Sequence, residues 1–90
     1  GYSWRDDGSG GLIFATNASS TATDRVSFDI NGCVGVGGES YGGALGAVVF
    51  IANADRAPIS NPTGGGILYV TGGALTYRGS SGTVTTLASA

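Results

Sequence analysis

Apolar and polar residues alternate without a break from residue 25 to residue 30, and an Asn-Gly pair follows at once. This period of two is typical of a strand with one buried side. It places Val26, Phe28 and Ile30 on the buried face, with the polar residues between them facing solvent. Asn31-Gly32 predicts a tight hairpin of type I′, because both central residues of that turn need positive φ.

The rest of the chain has the same character. Strands are predicted at residues 12–16, 34–36, 67–70, 74–78 and 83–88, and the polar or Gly-rich segments between them are turns. The apolar run 47–52 is long enough for a strand that is buried on both sides and too short for a comfortable helix. No stretch combines helical periodicity with a cap, so the predicted fold class is all-β, made of short β-meanders.

Two Pro residues and a triple Gly separate the meanders. Pro58 and Pro62 would break any ladder between residues 53 and 66. The sequence therefore predicts an N-terminal β-meander module at 1–52, a Pro/Gly-rich linker at 53–66 and a C-terminal β-meander module at 67–90.

Glycine makes up 18 of the 90 residues, which leaves few side chains to pack against the entropy cost of ordering the backbone. A small chain of this kind needs a metal, disulfides or other copies of itself. It has no His and only Cys33, so one chain provides neither a His/Cys metal site nor a disulfide. The remaining sources of stability are oligomerisation or a longer fibrous context. Gly35, Gly37 and Gly38 fit a close approach of another backbone, as near the axis of a symmetric trimer.

Charge and hydropathy point away from nucleic acid and from membrane insertion. The net charge is −2, Lys is absent, and the four Arg are scattered, so the basic patch that nucleic-acid binding needs is missing. The longest apolar run has six residues, against the roughly 20 that a membrane-spanning helix requires.

The chain offers little chemistry. Cys33 has no His to activate it, and without Lys there is no phosphate-binding Gly loop of the Walker type. Asp29 is interpreted as a structural acid beside the turn, accepting backbone N–H bonds or pairing with Arg25. No catalytic residue, cofactor site or metal site is predicted, and the protein is not expected to be an enzyme.

The aromatic residues are the remaining candidates for binding. Tyr2 and Trp4 alternate near the N terminus, either along a short strand or as anchors under a neighbouring copy. With Tyr41 they are the predicted contacts for a receptor or carbohydrate, since exposed Tyr and Trp stack on sugars. Tyr69 and Tyr77 lie within strand patterns and are expected to pack across them.

The first meander also resembles a repeat of bacteriophage tail-fibre and head-fibre proteins. In that repeat an F-x-T-N strand precedes an R-(apolar)-x-(apolar)-D strand, a Gly turn and a V-G-(apolar)-G strand. Those positions are held here by Phe14, Thr16, Asn17, Arg25, Val26, Phe28, Asp29, Gly32, Val34, Gly35, Val36 and Gly37. The segment 65–85 is similar to a module at the ends of some phage structural proteins, of the order G-G-(apolar)-L-Y-V-x-x-G-A-L-x-Y-R-G-S-x-G-T-V-T.

These resemblances imply an elongated, interwoven homotrimeric fibre or spike, β-prism-like or β-helix-like, in a phage virion. The implied function is structural, with other virion proteins and a host surface glycan or protein as further partners. Two alternatives stay open: a fragment of a polysaccharide-degrading tailspike, and a bacterial surface adhesin or filament subunit.

Overall fold

The structure is a computed structural model, which describes residues 2–6, 8, 10–16 and 23–90. Every regular element in that part of the chain is a β-strand. The predicted all-β class is therefore confirmed. The chain divides into two compact units, Gly1–Ala52 and Asn53–Ala90. The predicted three-way division into module, linker and module stays a prediction.

The first unit holds a five-stranded sheet whose spatial order follows the chain. Neighbouring strands are antiparallel as far as the fourth, and the fourth and fifth are parallel. The strands are β1 (Tyr2–Asp6), β2 (Leu12–Thr16), β3 (Thr23–Phe28), β4 (Val34–Val36) and β5 (Val49–Ile51).

The turn between β3 and β4 is longer than the predicted two-residue hairpin. Asp29 N–H donates to the carbonyl of Cys33, and Gly32 N–H donates to the carbonyl of Asp29, both at 3.0 Å. Gly32 has φ +87°, whereas Asn31 does not have positive φ. The type I′ prediction is therefore wrong, because one left-handed residue, Gly32, completes a wider loop of the kind that ends in a Gly bulge.

The buried side of β3 is also the opposite of the predicted one. Ser27 is 1% exposed, whereas Phe28 is 43% exposed. The strand ends at Phe28, and Ile30 lies in the turn with 64% of its surface exposed. Alternation assigned these residues correctly to two faces, but the polar face is the covered one.

The run 47–52 does not form a strand buried on both sides. Within this run, Val49–Ile51 form the edge strand β5, and Val49 is 65% exposed. Backbone bonds hold it beside β4, from Val34 N–H to the Val48 carbonyl and from Ala52 N–H to the Val36 carbonyl, both at 2.9 Å.

The backbone that approaches the β4 glycine belongs to the same chain. A Cβ on Gly35 would collide with the carbonyl oxygen of Gly38 and lie 2.9 Å from the Tyr41 hydroxyl. The predicted close approach of backbone at Gly35 is thus made by the connection from β4 to β5, which folds back over it, and an approach by another subunit near a trimer axis stays a prediction.

The second unit is a three-stranded antiparallel sheet, β6 (Ile67–Thr71), β7 (Ala74–Arg78) and β8 (Val84–Ala88). Tyr69 and Thr76, which face each other across β6 and β7, are its buried side chains. The prediction that Tyr69 packs across its strand is confirmed. Tyr77 is 41% exposed, with its ring against Gly66.

Side-chain hydrogen bonds tie residues 53–61 to this second sheet. Arg78 donates from Nη2 to Asn61 Oδ1 at 2.8 Å and from Nη1 to the Pro58 carbonyl at 3.4 Å. Asn53 Oδ1 accepts the Gly73 N–H at 2.8 Å. The segment predicted as a linker is thus bonded along the second sheet.

Candidate interaction surface

One face of the five-stranded sheet consists of apolar side chains in two rows. The strand registers align Leu12, Phe28, Val34 and Val49 in one row, and Trp4, Phe14, Val26, Val36 and Ile51 in the other. We call these nine residues the open face.

The open face is accessible over most of its extent. Five of the nine side chains keep more than two fifths of their surface: Trp4 56%, Leu12 42%, Phe28 43%, Val36 43% and Val49 65%. The other four are partly exposed. Besides these nine residues, the strand register places one charged residue in the two rows. This is Asp6 on β1, which lies opposite Leu12.

Three aromatic rings lie close together on the part of this face formed by β1, β2 and β3. The Trp4 indole lies 4.7 Å from the Phe14 ring, centroid to centroid, at an interplanar angle of 52°. It lies 6.5 Å from the Phe28 ring at 25°, a nearly parallel arrangement. Distances in this range are typical of favourable aromatic pairs. The three rings therefore hold one another in place while keeping exposed apolar surface.

Four neighbouring residues on the opposite face are buried, and three of them are small. Ile13 is 4% exposed, Ala15 1% and Ser27 1%, and Gly35 is buried as well. We call these four residues the closed face. Because Ala, Ser and Gly project little from the sheet, the connection between β4 and β5 can lie directly on it.

The turn beside the closed face is held by a carboxylate. Asp29 Oδ1 accepts the N–H of Cys33 at 2.8 Å and the N–H of Asn31 at 3.0 Å. The interpretation of Asp29 as a structural acid is confirmed. Arg25 does not supply its partner in these bonds; its Nε donates to Thr16 Oγ1 at 2.6 Å.

Cys33 is fully buried as a free thiol. Within the described ranges, no group of three or more His, Cys, Asp or Glu residues is placed to hold a metal ion. The same residues contain no helix long and apolar enough to cross a bilayer.

The three predicted binding aromatics do not come together. Trp4 belongs to the open face. Tyr41 lies on the other side of the sheet, where its hydroxyl is buried beside Gly35, so its polar tip is not presented to solvent. Tyr2 begins β1, and its side chain lies outside the described residues. Their role in receptor or carbohydrate contact stays a prediction.

Sequence analysis did not identify the open face as a surface. The available signal was the matching of small residues on three neighbouring strands, namely Ala15, Ser27 and Gly35. Once those positions are aligned, they indicate which side of the sheet other backbone can approach.

No protein-family model and no curated protein matches the chain. Among solved structures, the chain is similar to a hyaluronidase from Streptomyces koganeiensis, with 36% sequence identity and a TM-score of 0.46. The similarity covers 84% of this chain and 44% of the hyaluronidase. The chain thus spans less than half of the hyaluronidase. A TM-score at this level assigns neither a fold nor an activity to the present chain.

Proposed function

We propose that this chain is a structural component of a bacteriophage virion appendage, a tail fibre, spike or head fibre, and that it works as a homotrimer. The observation that carries the proposal is the uncovered open face on an all-β chain with few buried side chains. Among the described residues, the buried apolar side chains are Ile13, Ala15, Cys33 and Tyr69. So small a core needs additional burial from outside the single chain.

The fibre-like sequence motifs support the virion context. The residues that carry the first resemblance lie in β2, β3, β4 and the turn before β4, apart from Gly37, which follows β4, and Asn17, which lies outside the described residues. In this proposal three chains surround one axis, and exposed loops contact a host glycan or protein. The chain's role is mechanical and adhesive, with no catalytic step.

Solution mass tests the proposal directly. Light scattering on the unheated 90-residue chain should give three times 8.8 kDa. A gel run in SDS should show a slow band without boiling and a monomer band after boiling, because interwoven chains separate slowly. A well-folded monomer at every concentration would remove the fibre proposal.

An activity assay separates the proposal from its enzymatic alternative. The assembled protein is incubated with capsular polysaccharide and with hyaluronan, the substrate after which the similar hyaluronidase is named. We expect no new reducing ends. Product release at a rate proportional to protein concentration would replace the structural role with polysaccharide degradation.

Co-purification separates the proposal from its other alternative. Failure of the protein to co-purify with virions would favour a bacterial adhesin or filament.

A further inference from the structure

We propose that the open face is the subunit interface of this protein, packed against the same face of other copies of the chain. The inference deepens the proposed function and rests on its self-assembly. It assigns the contact to one side of one sheet, and it leaves the closed face, including its glycine, inside the single chain.

The composition of the open face favours a permanent interface. Its two rows contain nine apolar residues and, at the margin, one charged residue, Asp6. Interfaces that form and dissociate are about as apolar as ordinary protein surface, whereas the cores of homo-oligomer interfaces are more apolar and depleted of charge. A transient partner would leave this face in water most of the time.

The exposed area is sufficient for such a contact. The accessible parts of Trp4, Leu12, Phe28, Val36 and Val49 amount to roughly 500 Å² per copy at the usual areas of these side chains. Two copies facing each other would bury roughly 1,000 Å² before the four partly exposed residues are counted, which is the lower limit for a specific interface. A continuous apolar patch of this size is comparable to the largest patch on a typical monomer, and such patches often mark interaction sites.

The geometry of sheets allows the same face to meet itself. Two sheets pack about 10 Å apart with their side chains interdigitated. Three sheets can turn the same face toward a common axis. In both arrangements the open face needs no helix or foreign segment to cover it, and the free edge at β5 remains at the side of the contact.

A carbohydrate is a weaker occupant for this surface. Sugar sites combine an aromatic platform with polar groups that bind hydroxyls. Around Trp4 the face offers Phe14, Phe28 and aliphatic side chains, and its register supplies Asp6 as the one charged group in the two rows. Burial by another apolar face fits these side chains better.

Trp4 is the protein's single tryptophan, so fluorescence reports on the open face alone. In the wild-type oligomer we expect emission at short wavelength and weak quenching by acrylamide. A variant that no longer assembles should emit at longer wavelength and be quenched at least about threefold more, because Trp4 is 56% exposed in the single chain.

A matched pair of charge substitutions gives the second measurement. Val49→Lys adds a charge to the open face at a position 65% exposed in the single chain, so the monomer tolerates it. Burying that charge at the interface should weaken self-association at least about tenfold. Ile59→Lys, at 71% exposure in the second unit, is the control and should leave assembly unchanged.

The outcomes separate this inference from the proposed function. A wild-type monomer at all concentrations overturns both. A wild-type oligomer in which Trp4 is quenched as strongly as free tryptophan, or which tolerates V49K as well as I59K, overturns the open-face interface and retains the self-assembling fibre. A V49K chain that remains folded by circular dichroism, dissociated and red-shifted in emission supports the inference.

Discussion

The two faces of the five-stranded sheet are built from opposite kinds of side chain. Three of the four closed-face residues are Ala, Ser or Gly, and the chain's own connection folds onto Gly35. The open face carries three aromatic rings and six aliphatic side chains, and five of these nine residues keep more than two fifths of their surface exposed.

This difference shows that burial in a sheet depends on what approaches it as much as on hydrophobicity. A backbone segment can lie directly on the sheet at Gly35 because that residue has no side chain to hold it away. Large apolar residues on the other face instead require an equally large partner surface. The buried Ser27 and the exposed Phe28 are neighbours that illustrate both conditions.

The largest expected effect comes from truncating the closed face. Ile13→Ala should destabilise the chain by about 4 kcal/mol, because Ile13 is 4% exposed and its loss leaves a cavity. Urea denaturation measures the change. Val49→Ala on the open face, measured at dilutions where the chain is monomeric, is the control and should cost less than about 1 kcal/mol. Equal losses at both positions would contradict the distinction between the faces.

Adding a side chain at Gly35 should have the next largest effect. Gly35→Ala should cost about 3 kcal/mol, because its Cβ would meet the backbone carbonyl of Gly38, which cannot swing aside as a side chain could. The matched substitution Gly65→Ala introduces a Cβ with no neighbour within 4 Å. Thermal unfolding should show a marked loss for Gly35→Ala alone. A Gly35→Ala chain as stable as wild type would mean that the connection does not lie on this face.

Removing the carboxylate from the β3–β4 turn should cost about 2 kcal/mol. Asp29→Ala leaves the N–H groups of Asn31 and Cys33 without the acceptor they now share. Hydrogen exchange should be faster at these two amides. Asp29→Asn keeps an oxygen acceptor and should recover part of the loss; if it is as unstable as Asp29→Ala, the hydrogen bonds are not the cause.

A substitution in the covering connection should have the smallest effect, and of opposite sign. Ala47 has φ +58°, which is unfavourable for a residue with a Cβ. Ala47→Gly relieves that cost but loosens the unfolded chain, so we expect a net gain of about 0.5 kcal/mol. Differential scanning calorimetry would detect the rise in Tm. Destabilisation would show that the Ala47 methyl group contributes packing that outweighs its backbone conformation.

Local pattern was sufficient to predict most of the strands. β2 and β7 begin and end where alternation and turn residues place them, and β6 and β8 differ by one residue at one end. These segments are short, are flanked by Gly or Asn, and pair with their sequence neighbours, so their information is local.

The orientation of the sheet could not be predicted in the same way. Alternation shows which residues share a face, but it does not show that the β4–β5 connection folds back over Gly35. The parallel pairing of β4 with β5 was missed for the same reason. The sequence therefore points to the candidate surface only through Trp4, because it predicts that Val26, Phe28 and the run 47–52 are buried.

The second unit uses the same turn as the first without an acid. Gly79 N–H donates to the Thr83 carbonyl at 2.9 Å, and Gly82 N–H to the Gly79 carbonyl at 3.0 Å, with Gly82 at φ +92°. This arrangement matches Asp29, Gly32 and Cys33 position for position. Glycine placement therefore sets the turn, and Asp29 adds hydrogen bonds to it.

The simple strand order of the first sheet has a consequence for how the protein is made. Because each strand pairs with the strand next to it in the chain, every contact closes a short loop, and such topologies fold quickly. A nascent chain could complete this sheet as soon as Ile51 has left the ribosome. In the proposed assembly, this sheet would then be folded before the chains meet.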